Sequence, residues 1–156
     1  MSYLLVFLIV SFIVSSVGWF YFIYFFSIGY GLSISALSVA TVAMYWGKIT
    51  LPVAILCGVL FIYGIRLALY LFIRERKSAS YKKILYQPEN TTHKPLFVMF
   101  MIWISCALLY VGQMSPAAFY LDNLKARMNV NEVWAWIGAI LATLGVLIEM
   151  IADAQK

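Results

Sequence analysis

Residues 2–47 read SYLLVFLIVSFIVSSVGWFYFIYFFSIGYGLSISALSVATVAMYWG and contain no charged side chain. A bilayer's hydrocarbon is crossed by a helix of about 20 residues, and about 25 is the usual upper range. The stretch is too long for one span, so it must fold back once. The break is expected at Ser27-Ile28-Gly29-Tyr30-Gly31, where two glycines loosen a helix. That gives a first span near residues 3–26 and a second near residues 30–46. Working outward, a third span is expected at 51–73, starting beside Pro52, a favourable helix-start residue. A fourth is expected at 95–114, ahead of Pro116, and a fifth at 133–152.

Composition supports this reading. The chain has 156 residues, 65% of them hydrophobic and 11% charged. A soluble domain carries about 45–50% apolar and about 25% charged residues. So few charges cannot cover a water-facing surface, which excludes a soluble globule. The wealth of aromatic and branched aliphatic residues excludes disorder. Two cysteines, Cys57 and Cys106, both in apolar runs, exclude a disulfide scaffold. The N-terminus lacks the basic region of a secretory signal, and its apolar run is longer than a signal's. Only helices and closed barrels satisfy every backbone group in lipid. Barrel strands alternate apolar and polar residues, and Val53-Ala54-Ile55-Leu56-Cys57-Gly58-Val59-Leu60-Phe61-Ile62 does not. The expected fold is therefore all-α: a polytopic membrane bundle of about five transmembrane helices, in one domain over residues 1–156.

The basic residues set the expected orientation. Arg74, Arg76, Lys77, Lys82, Lys83 and Lys94 cluster between spans three and four. The alternate loops carry Lys48, Lys125 and Arg127, the last two accompanied by Asp122 and Glu132. The positive-inside rule places the 74–94 loop in the cytoplasm, the N-terminus outside and the C-terminus inside. Trp46, Trp134 and Trp136 then fall at outer boundaries, as interfacial indoles do. The net charge of +5 lies mostly in this loop. It suits anionic membrane lipid, at about 1 kcal/mol per basic residue near the surface, or a phosphorylated cofactor. A short loop beside a bilayer, with no reading helix and no stacking platform, argues against nucleic acid.

Charges inside the apolar segments mark the candidate site. Arg66 lies about eight residues before Arg74, or about 12 Å along a helix. A charge at that depth costs about 2.5–3.5 kcal/mol on insertion scales, and intramembrane charges default to function. The bland alternative is a side chain snorkelling to the headgroups. Tyr63, Arg66, Tyr70 and Arg74 share one helical stripe leading to the basic loop. Glu149 and Asp153, four apart, share a face near the end of span five. The helix dipole disfavours anions there by about 0.3–1 kcal/mol, so cations opposite them are expected. The alternative is that both sit in the wet headgroup zone.

The remaining polar residues say less. His93 is isolated beside Lys94-Pro95, and no metal-binding spacing occurs. No phosphate loop or nucleophile elbow is present. Gln113, near the outer end of span four, could hydrogen-bond across helices, but packing is the favoured reading. Leu121, Leu124 and Met128 read as a short amphipathic helix lying on the outer surface.

With these residues in place, the chain resembles the steroid 5-alpha-reductase-like membrane proteins, in particular their bacterial branch. Phe25-Phe26-Ser27-Ile28-Gly29-Tyr30-Gly31 resembles the family's aromatic-Ser-Ile-Gly-aromatic turn. Gly64-Ile65-Arg66-Leu67, with Tyr70 and Arg74, resembles its Gly-x-Arg-Leu…Tyr…Arg helix. Gly145-Val146-Leu147-Ile148-Glu149-Met150-Ile151-Ala152-Asp153-Ala154-Gln155 resembles its Gly-Leu-x-x-Glu-x-x-Ala-Asp-x-Gln motif.

The resemblance implies a reductase of the bacterial inner membrane. It would use NADPH from the cytoplasmic side to reduce an activated carbon–carbon double bond in a lipophilic, steroid- or lipid-like substrate. It places Glu149 and Asp153 near the cofactor. Carboxylates suit ribose hydroxyls or a carboxamide N–H, while cations such as Arg66 and Arg74 suit phosphate. It makes Tyr70 a proton donor or orienting hydroxyl. The family has a second half, with an Arg-His-Pro-x-Tyr-type segment at the cofactor, and the sequence ends at Lys156 before any of it. A fragment, a natural truncation or a chain completed by a partner would end so. This chain alone is expected to bind NADPH weakly at most. The family's early acidic residue has no counterpart before Glu75. Two alternatives stand beside this: a methyltransferase-like protein using S-adenosylmethionine, and a non-enzymatic accessory subunit whose partner protein completes the bundle.

Overall fold

The computed structural model describes residues 2–19, 24, 28–77, 95–126, 128 and 130–155. Five α-helices make up the described chain: α1 (Ser2–Ser15), α2 (Ile28–Met44), α3 (Leu51–Lys77), α4 (Leu96–Lys125) and α5 (Glu132–Ala154). A 3₁₀ turn, Ser16–Trp19, prolongs α1. No strand occurs among the described residues. The all-α bundle expected from the sequence is the one observed.

The first helix is shorter than the expected first span. Ser15 donates its hydroxyl to the Ser11 carbonyl at 2.5 Å and Ser16 to that of Ile13 at 2.6 Å. Such bonds compete with the helical ladder, and Gly18 follows at once, so the chain tightens into 3₁₀ geometry. The expected break at 27–31 falls partly outside the described residues. Within them, Gly29 and Gly31 are not the break: both lie in the first turn of α2.

Gly31 and Gly64 are where α2 and α3 touch. A Cβ on Gly31 would meet the Gly64 carbonyl oxygen at 2.6 Å, and one on Gly64 would collide with the Gly31 carbonyl and the Ser35 hydroxyl. Ser35 donates to the Phe61 carbonyl at 3.1 Å across the same crossing. Small residues that let backbones approach, with a hydroxyl as glue, are how helices associate in lipid. Gly47, at φ 78°, turns the chain from α2 into α3.

The fourth helix corrects two expectations. It does not stop before Pro116 but runs through it for 30 residues. Proline normally clashes with the carbonyl four residues back and leaves it without a donor. Here that residue is Gly112, and Ser115 donates to its carbonyl at 3.0 Å in place of the missing N–H. Leu121 is 1% exposed in the core, within α4 and not on a separate surface helix. Met128 lies beyond the helix.

α2 is the centre of the bundle. It packs on α1, α3 and α4, and α1 also packs on α4. Phe7, Leu37, Cys57, Cys106, Ala118 and Leu121 fill the space between them. α5 stands outside this group and docks on α3. Its start is capped by Asn131, which accepts the Val133 N–H at 3.0 Å. Trp134, Leu141, Leu144, Ile148 and Ile151 on α5 stay exposed. Three helical segments, Leu51–Arg74, Leu96–Lys125 and Glu132–Asp153, are long and apolar enough to cross a membrane. The third helix also runs past its expected end at 73, so that Arg74, Arg76 and Lys77 of the expected basic loop lie in its last turns. Residues 78–94, His93 and Lys94 included, lie outside the described residues.

Candidate functional site

The site is the seam between α3 and α5. Tyr63 and Arg66 are one turn apart on α3, and Glu149 and Asp153 are one turn apart on α5. The Tyr63 hydroxyl donates to Glu149 Oε1 at 2.9 Å, and Arg66 Nη1 donates to Asp153 Oδ2 at 3.4 Å. The pairs advance together along both helices, so α3 and α5 run parallel. The expected opposition of cations to Glu149 and Asp153 is present as Arg66 facing Asp153. Side-chain exposures of 28% for Arg66 and 14% for Asp153 keep the pair largely shielded. Arg66 therefore points into the seam and does not snorkel.

Tyr70 and Arg74 continue the stripe along α3. The Arg74 guanidinium carbon lies 5.8 Å from the Tyr70 ring centroid, a cation–π contact. Arg74 is exposed and Tyr70 half-buried. An open groove of about 490 Å³ runs along α3, lined by Arg66 and Tyr70 among Ile62, Ile65, Leu69 and Ile73. Glu149 and Asp153 do not line it.

Three residues join the site that sequence reasoning left aside. Tyr63 appeared only as a member of a stripe, yet it holds one of the two carboxylates. Tyr30 on α2 interacts through its hydroxyl with Tyr63. Gln113 on α4 donates from Nε2 to the Tyr30 hydroxyl at 3.3 Å. Polar side chains thus touch in sequence from α4 through α2 and α3 to α5. Matching spacing was the one available signal: Tyr63 precedes Arg66 by one turn as Glu149 precedes Asp153. Gln113 offered only the option of a bond across helices, with no partner named, and Tyr30 carried no signal.

A bundle of apolar helices with a charged seam between two of them defines a membrane-type helical protein. The chain belongs to the family described as "Protein of unknown function (DUF1295)", whose sequence profile matches residues 12–156. No curated protein and no solved structure matches the chain.

Proposed function

We propose that this chain forms the membrane part of an NADPH-dependent reductase of carbon–carbon double bonds in lipophilic substrates, similar to the steroid 5-alpha-reductases. One observation carries the reading. The two segments with the strongest resemblance to that group, around Arg66 and around Glu149–Asp153, lie far apart in the sequence and meet side chain to side chain.

The residues present fit a dinucleotide. Glu149 and Asp153 offer acceptors for ribose hydroxyls or a carboxamide N–H, and Arg66 and Arg74 offer donors for phosphate. Arg66 contacts Asp153 through Nη1, and a guanidinium has five N–H donors in all. NADPH, when bound, supplies hydride. Tyr70, beside Arg66 in the α3 groove, would orient or protonate the substrate's polar end. The apolar groove wall, Ile62, Ile65 and Leu69, suits a lipophilic body. We place the site on the cytoplasmic side of a bacterial inner membrane, with the N-terminus outside.

The test is cofactor titration of the protein, expressed through its natural reading frame, in lipid nanodiscs. NADPH binding that weakens at least tenfold in Asp153→Ala supports the reading. Binding of S-adenosylmethionine overturns it in favour of a methyltransferase-like protein. Binding of neither cofactor overturns it in favour of an accessory subunit.

A further inference from the structure

A second groove, of about 920 Å³, runs along α4 with Tyr30 of α2 in its wall. Its lining combines Leu108, Leu109 and Gly112 with the polar side chains of Tyr30, Ser105, Tyr110 and Gln113. The setting makes Gln113 unusual. Leu108, Leu109 and Phe119 on the same helix are 54%, 67% and 59% exposed, so this face of α4 is turned to lipid. Gln113 is exposed at the edge of that face, beside the buried Cys106 and Tyr110. It lies about nine residues, or about 13 Å, before Asp122 at the helix end. A primary amide facing hydrocarbon is costly unless its hydrogen bonds are made.

Only part of that need is met. Gln113 makes one described hydrogen bond, from Nε2 to the Tyr30 hydroxyl. An amide has two N–H donors and a carbonyl with two lone pairs. One N–H and the Oε1 carbonyl are thus available at the groove. Tyr30 is held in place by its ring, 5.7 Å from that of Tyr110. Ser105 donates to the Met101 carbonyl at 2.9 Å, which leaves its oxygen able to accept.

The lining contains no acidic or basic residue. A charged headgroup would find no counter-ion there, whereas a hydroxyl or carbonyl would find both a donor and an acceptor. The volume is that of a site for a drug-sized or single-lipid body. We propose that the α4 groove binds an uncharged lipid through one hydroxyl or carbonyl oxygen, with Gln113 as the reading side chain and Tyr30 as the residue that positions it. The inference does not depend on the cofactor reading: Tyr30 and Gln113 adjoin the α3–α5 pairs through Tyr63, but no cofactor contact is assigned to either.

The test is photo-crosslinking in nanodiscs of phosphatidylethanolamine and phosphatidylglycerol. The probe is a diacylglycerol with a diazirine near the head of one acyl chain. The matched control is phosphatidic acid with the same diazirine chain. The expected result is diacylglycerol labelling concentrated on residues 108–113, competed by unlabelled diacylglycerol, and at least fivefold weaker in Gln113→Leu. Tyr30→Phe should weaken it two- to threefold and serves as the reading if Gln113→Leu fails to assemble. Equal labelling by phosphatidic acid would overturn the claim of an uncharged ligand. Labelling spread evenly over the exposed faces of α3, α4 and α5, or unchanged in both variants, would overturn the site itself.

Discussion

Arg66 and Asp153 hold each other at 3.4 Å in a setting that is 28% and 14% exposed at the side chains. Removing one partner strands the other at low dielectric, which costs more than the pair contributes net. Arg66→Leu or Asp153→Leu should each destabilise the protein by about 1–3 kcal/mol, below the fully buried case because the pair is partly exposed. The double change Arg66→Leu with Asp153→Leu should recover most of that loss, since two apolar side chains replace two compensated charges. Denaturant unfolding in bicelles gives all three values, and additive losses would contradict the pairing. The charged members of this seam were legible in the sequence because a charge inside an apolar segment is costly enough to single out, although snorkelling and the headgroup zone stood as alternatives. Tyr30 and Gln113 were not. Tyrosine and glutamine occur near span ends for many reasons, and nothing in their spacing shows that they meet across α2 and α4.

At the scale of elements, the crossing of α2 and α3 depends on two missing Cβ atoms. Gly31 and Gly64 face each other so closely that either side chain would press on the opposite carbonyl. Gly64→Ala should cost about 1–3 kcal/mol, the usual penalty of overpacking. Gly31→Ala with Gly64→Ala should cost less than the sum, because the first methyl already forces the helices apart. Additive losses in unfolding experiments would show that the two glycines act separately. Here the sequence misled for a physical reason: glycine loosens an isolated helix and also lets two helices touch, and only the neighbouring helix decides which. Pro116 misled in the same way. Its cost fell on the Gly112 carbonyl, to which Ser115 supplies the missing donor. The number of helices, by contrast, was readable, because hydropathy over a whole segment averages out such local exceptions.

At the scale of the molecule, the parallel course of α3 and α5 fixes what lies together. Tyr63 meets Glu149, and Arg66 meets Asp153, so residues later in one helix meet residues later in the other. With α4 between them in the chain, three long apolar helices must cross alternately if all three span a bilayer. The ends of α3 and α5 then share one side, and the loop between α4 and α5 lies on the other. On the orientation proposed from the excess of Lys and Arg between α3 and α4, the first side is the cytoplasmic one. An impermeant maleimide added to intact cells should therefore modify a cysteine placed at Asn123, near the end of α4. It should leave one placed at Ser80 untouched until the membrane is opened. The native thiols should not interfere, since Cys57 and Cys106 are each 2% exposed. Reversed labelling would invert the molecule and move the α3–α5 seam to the outer face, out of reach of a cytoplasmic dinucleotide. The orientation thus bears directly on the reductase reading: a seam open to the outside could not draw on cytoplasmic NADPH.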